Sequence, residues 1–168
     1  GISLQNALLW EIKKYYTPEY EVGLDIIRMV DEELHVKLAE DEAGFIALHI
    51  VNAEMEGNNN LDEVERIPGI IKDILSIVRY TYQTELDEGT LSYERFLTHL
   101  KFFVHRSINN EVYDENDVEL FEMLKKRYPK AYICAARIAK YMKDNKGYDV
   151  PDAELSYLMA HIARITRK

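Results

Sequence analysis

The chain repeats itself once, without gaps, at a distance of 112 residues. Asp41-Glu42-Ala43-Gly44-Phe45-Ile46-Ala47-Leu48-His49-Ile50 is echoed by Ala153-Glu154-Leu155-Ser156-Tyr157-Leu158-Met159-Ala160-His161-Ile162. The same shift lays Leu8 on Leu120, Ile12 on Leu124, Tyr16 on Tyr128 and Tyr20 on Tyr132. Solenoid repeats run to roughly 20–50 residues, so this period signals a duplicated domain. The spacing also sets a register. If the second copy begins near Leu61, the first would begin near position −51 in this numbering. We therefore expect residues 1–60 to be the C-terminal half of one domain, truncated at its N-terminus, and residues 61–168 to be a complete second one.

Both copies should be helical. Apolar residues recur at three- and four-residue steps, as in Ile70, Ile74, Ile77 and Val78 or Phe96, Leu100 and Phe103. That places them on one face of a 3.6-residue helix, and no sustained two-residue alternation argues for strands. Thr17-Pro18 is expected as a cap with proline at the first helical position, and Pro151 with Asp152 and Glu154 as another helix start. Breaks are expected at Gly57-Asn58-Asn59-Asn60, Asp87-Glu88-Gly89, Asn109-Asn110 and Asp144-Asn145-Lys146-Gly147. The expected fold is all-α, with about eight helices.

Composition narrows the function. A net charge of −9 does not suit a phosphate backbone, which is gripped by clustered Lys and Arg. The single cysteine, Cys134, excludes an internal disulfide and a cysteine-rich zinc site, and a reducing cytoplasm is its natural setting. No apolar run approaches the ~20 residues of a membrane span, so no membrane insertion is expected. Gly-rich phosphate loops and nucleophile elbows are missing too, so neither a nucleotide cofactor nor a catalytic triad is indicated.

The histidines remain. A lone helical histidine is usually structural, but His49 and His161 are kept at equivalent places while their neighbours change. Each follows an acid by seven residues, Glu42 and Glu154, and an aromatic by four, Phe45 and Tyr157. In a helix all three share a face. Neutral imidazole is a nucleophile near pH 7, able to accept a phosphoryl group that adds almost two negative charges. A metal centre is the competing chemistry, but Glu32-x-x-His35 does not recur in the second copy, where Gly147 replaces His35. Di-metal helical bundles use paired Glu-x-x-His motifs, so no metal site is expected. His35 and His105 are assigned to surface or helix-end roles.

Four segments carry a family resemblance. Asn6-Ala7-Leu8-Leu9-Trp10-Glu11-Ile12-Lys13 and Glu40 through Ala53 resemble the first PTS-regulation domain (PRD) of the BglG/SacY/LicT antiterminators. Tyr93-Glu94-Arg95-Phe96-Leu97-Thr98-His99-Leu100-Lys101-Phe102-Phe103 and Glu154 through Ile162 resemble the two phosphoacceptor segments of the second PRD. The branch most similar is the LicT-like, β-glucoside one. The resemblance implies two tandem helical bundles, with His49, His99 and His161 as phosphoacceptors. It implies HPr and a sugar-specific enzyme II component as phosphoryl donors, and a homodimer whose packing responds. RNA would be bound only through a preceding N-terminal domain. A phosphate at these sites needs cations: Arg164 lies three residues after His161, and Lys101 and Arg106 flank His99 on its helix. Two alternatives remain: a PRD from a DNA-binding transcriptional activator, and a metallo-helical enzyme.

Overall fold

A computed structural model describes residues 7–58, 61–111 and 117–167. Among these residues there are eight helices and no strand. They are α1 (Ala7–Tyr15), α2 (Thr17–Leu34), α3 (Glu40–Asn58), α4 (Leu61–Tyr82), α5 (Leu91–Ile108), α6 (Val118–Arg127), α7 (Pro129–Lys146) and α8 (Asp152–Ile165). Leu8–Asn60 forms one compact unit, and Leu61–Lys168 makes up the body of another.

The duplication is visible in local geometry. Helices α2 and α7 begin and end 112 residues apart, and so do the starts of α3 and α8. Tyr16 and Tyr128, which precede α2 and α7, both have φ of −127°. Both helices close on a left-handed residue, His35 at φ 55° and Gly147 at φ 76°. Such a residue lets the chain leave the helix while its N–H still reaches a helical carbonyl. A lysine sits over a tyrosine ring in each copy, Lys13 over Tyr20 at 5.4 Å and Lys125 over Tyr132 at 4.6 Å. A cation attracted to a ring quadrupole is thus kept through the duplication.

Several helix boundaries differ from expectation. Thr17 is already helical and is not the cap; its hydroxyl donates back to the Lys13 carbonyl at 2.9 Å. Gly57 and Asn58 continue α3, and Asp144 to Lys146 continue α7, so the stop is Gly147 alone. Polar residues tolerate a helix end when solvent serves their side chains, so composition placed these breaks too early. Gly1 to Asn6 and Asn59-Asn60 lie outside the described residues.

In the first unit, α2 and α3 approach so closely that a Cβ at Gly23 would collide with the Ala43 carbonyl oxygen. A Cβ at Gly44 would likewise strike the Leu9 side chain of α1. In the second unit, side-chain caps start two helices. The Thr90 hydroxyl accepts the Tyr93 N–H at 3.1 Å, and the Asp117 carboxylate accepts that of Leu120 at 3.0 Å. Helices α4 and α7 run antiparallel, tied by Tyr141 donating to Asp73 at 2.5 Å and Arg137 to Thr81 at 3.1 Å. Ile74, Phe96, Leu100, Phe103, Ile138, Met142, Leu158 and Ile162 fill the core. At the centre runs α8, packed by α5, α6 and α7 and buried from Ala153 through Ala163. A helix buried on every side must also bury its polar residues. Those are Glu154, Ser156 and His161, and the site follows from them.

Candidate functional site

A buried carboxylate needs a counterion and hydrogen bonds. Glu154 finds both in Arg106 of α5. The Arg106 Nε and Nη2 donate to its two oxygens at 2.9 and 2.8 Å, and the side chains are 1% and 7% exposed. This is the planar two-pronged geometry that a guanidinium makes best.

Two turns along the same helix pair, His161 meets His99. The imidazoles stack with centroids 4.4 Å apart and planes 17° from parallel. Phe96 and Phe103 flank them, with Phe103 at 6.1 Å from His99 and Phe96 at 6.0 Å from His161. Both histidines are buried. Arg106 follows His99 by seven residues and Glu154 precedes His161 by seven, so α5 and α8 are antiparallel with two matched polar rungs. Seven residues of helix rise about 10.5 Å, which separates the rungs. The stacked pair sets nucleophilic ring nitrogens side by side between Phe96 and Phe103. The same nitrogens are the kind that hold transition metals.

The other candidate residues fall elsewhere. His49 lies on α3 and is exposed, as are Glu42 and Phe45. Their counterparts Glu154, Tyr157 and His161 are all buried. One triplet, repeated in sequence, therefore occupies opposite environments. Arg164 is half-buried and lines a cavity of about 380 Å³ with Asp87, Thr90, Ser92 and Arg167, beside the start of α5. Lys101 is half-buried, two residues beyond His99 and so roughly 200° around the helix from its face. Arg106 lies within the core, engaged by Glu154. His35 is exposed at the end of α2, and His105 is in the last turn of α5.

Sequence reasoning listed Arg106 and Glu154 separately and missed that they meet. The signal was in the mirrored spacing: His-x6-Arg on one helix and Glu-x6-His on the other are complementary only if the helices are antiparallel.

Comparison with known proteins agrees with the helical duplication. The PRD domain family matches residues 1–53 and 72–165. The chain is 40% identical over all 168 of its residues to the transcription antiterminator LicT of Bacillus subtilis (strain 168), covering 60% of that protein. It is 39% identical over 165 residues to the beta-glucoside operon antiterminator of Dickeya chrysanthemi, covering 58% of it. It is 30% identical over 168 residues to the PtsGHI operon antiterminator of Bacillus subtilis (strain 168), covering 59% of it. The chain thus spans under two thirds of the length of these relatives. With two PRD matches and a duplicated helical register, this chain belongs to the PRD family.

Proposed function

We propose that the chain is the phosphorylation-controlled regulatory region of a sugar-responsive transcriptional antiterminator, with His99 and His161 as its paired phosphoacceptors. The observation that carries this is the stacked imidazole pair that α5 and α8 bring together. On this reading residues 1–60 correspond to the C-terminal half of a first PRD and residues 61–168 to a second one. The region works as an acceptor, not an enzyme, in a cytoplasmic homodimer. RNA contact belongs to a separate N-terminal domain, in keeping with the net charge of −9.

The chemistry is a transfer between imidazoles. A lone pair on the His99 or His161 ring attacks the phosphorus of a phosphohistidine on HPr or an enzyme II component. The new N–P bond forms as the donor's breaks. The acceptor's other nitrogen releases its proton, and the departing donor imidazole takes one up. The product carries close to two extra negative charges where two imidazoles were stacked. A charge of that size cannot stay buried without cations. The stack must open, which turns modification into a rearrangement of α5 against α8. The cations within reach are Arg164 toward one end of the helix pair and Arg106 toward the other, once Arg106 leaves Glu154. His49 is the corresponding acceptor of the first unit, already exposed to a donor.

Incubation with phosphorylated HPr tests the assignment, followed by mapping of acid-labile phosphate by mass spectrometry. Label is expected on His99 or His161, and the His99→Ala/His161→Ala double variant should lose it. Undiminished labelling of that variant at residues other than His49 would overturn the assignment. A DNA-binding activator would use the same chemistry with another output, and what a preceding domain binds separates the two readings.

A further inference from the structure

The second unit contains a cavity that phosphoryl transfer does not use. It has a volume of about 460 Å³ and lies where the end of α4, the α6–α7 junction and the end of α8 converge. That volume is within the ~300–1,000 Å³ of small-molecule sites. Two tyrosines, Tyr82 and Tyr128, and the buried Ala131 and Ala163 provide its apolar walls. Three cations, Arg127, Lys130 and Arg167, line it, and among the described residues no acid does. This local excess of positive charge occurs in a chain whose net charge is −9.

The cations are spread around the cavity. Lys130 Nζ sits 4.9 Å from the Tyr82 ring centre, and Arg127 Cζ 5.7 Å from that of Tyr128. None of the three has a carboxylate within 4 Å among the described residues. Each tyrosine therefore offers a ring beside a cation with donors to spare. A ring compound can lie on the aromatic face while an attached anion meets guanidinium and ammonium groups. A dianion gains more from cations on several walls than from a single one. Helix α7 begins here, at Pro129, but α4, α6 and α8 end here, so the positive character of the cavity comes from the three side chains and not from helix ends.

We infer that this cavity binds a small phosphate monoester carrying a ring, such as a hexose phosphate or a mononucleotide. The site is independent of the histidine pair, although Ala163 on its wall lies two residues beyond His161 on α8.

Isothermal titration calorimetry of the whole chain with glucose 6-phosphate, AMP, glucose and inorganic phosphate tests this. Saturable one-to-one binding is expected for at least one of the two esters, identifying the source. Binding of glucose or inorganic phosphate should be at least about tenfold weaker, because each carries only half of the recognition. Arg127→Gln/Arg167→Gln should weaken ester binding by about tenfold or more, and Lys130→Gln should weaken it independently. All three side chains are exposed, and far-UV circular dichroism verifies that these variants fold. The His99→Ala/His161→Ala variant should bind the ester unchanged, so failure of the acceptor assignment leaves this result standing. No saturable binding of either ester at low millimolar concentration would overturn the inference. So would inorganic phosphate binding as tightly as the esters, or full affinity in the Arg127→Gln/Arg167→Gln variant.

Discussion

Glu154→Gln is the most informative single change, because the duplication supplies its own control. The substitution keeps the shape of the side chain and removes its charge, so the Arg106 guanidinium, 1% exposed, loses the Glu154 carboxylate. At 2.8 Å and an effective dielectric of about 20, the lost attraction is roughly 6 kcal/mol. The glutamine oxygen still accepts one hydrogen bond and some desolvation cost vanishes with the charge, so the net loss should be about 3–5 kcal/mol. With a urea m-value near 2 kcal/mol/M, the unfolding midpoint should fall by about 1.5–2.5 M. Glu42→Gln is the equivalent change in the first copy. Glu42 is exposed, so that variant should lie within about 0.5 kcal/mol of the wild type. Replacing both partners, as in Arg106→Met/Glu154→Leu, should recover most of the stability, because the pair's worth lies mainly in not leaving one charge alone. Urea unfolding followed by far-UV circular dichroism measures all three. If Glu154→Gln cost no more than Glu42→Gln, Arg106 would not depend on Glu154, and the latch between α5 and α8 would be wrong.

Three further outcomes follow from the same geometry. His35→Gly should stabilise the first unit by about 0.5–1 kcal/mol, since it relieves a left-handed residue at φ 55° and gives back part of the gain as unfolded-chain entropy; equal or lower thermal stability would refute this. Gly23→Ala should cost about 1–3 kcal/mol, because the added methyl meets the Ala43 carbonyl oxygen across the α2–α3 contact; a neutral effect in urea unfolding would mean the helices are not so close. Burial pushes the Cys134 thiol up to about 11. The folded state therefore holds a proton that the unfolded chain gives up above its ordinary thiol pKa. This stability is present at neutral pH and is lost as pH rises from about 8.5 toward 11. Between pH 8 and 10 the loss should be roughly 1–2 kcal/mol, and Cys134→Ala should flatten that part of the profile; an unchanged slope in the variant would refute the assignment.

Much of the fold was legible in one dimension. A 3.6-residue pattern specifies helices because burying one stripe is the only way such a sequence can leave water. The 112-residue shift placed α2 on α7 to the residue and the start of α3 on that of α8, because duplicated segments keep the helix starts and left-handed stops that local chemistry dictates. Helix ends marked only by polar residues, at Gly57-Asn58 and Asp144 to Lys146, were less legible, since solvent serves those side chains either way.

The candidate site was half legible. The equivalence of His49 and His161, and the acid seven residues before each, are properties of the sequence alone. Their environments are not. His161 is buried because α5 and α8 pack antiparallel, which sets His99 against it and Arg106 against Glu154. His49 carries the same local sequence on α3 and remains exposed. Periodicity states which residues share a face; only the packing of other helices decides what that face meets, and burial and ion pairing are properties of that meeting.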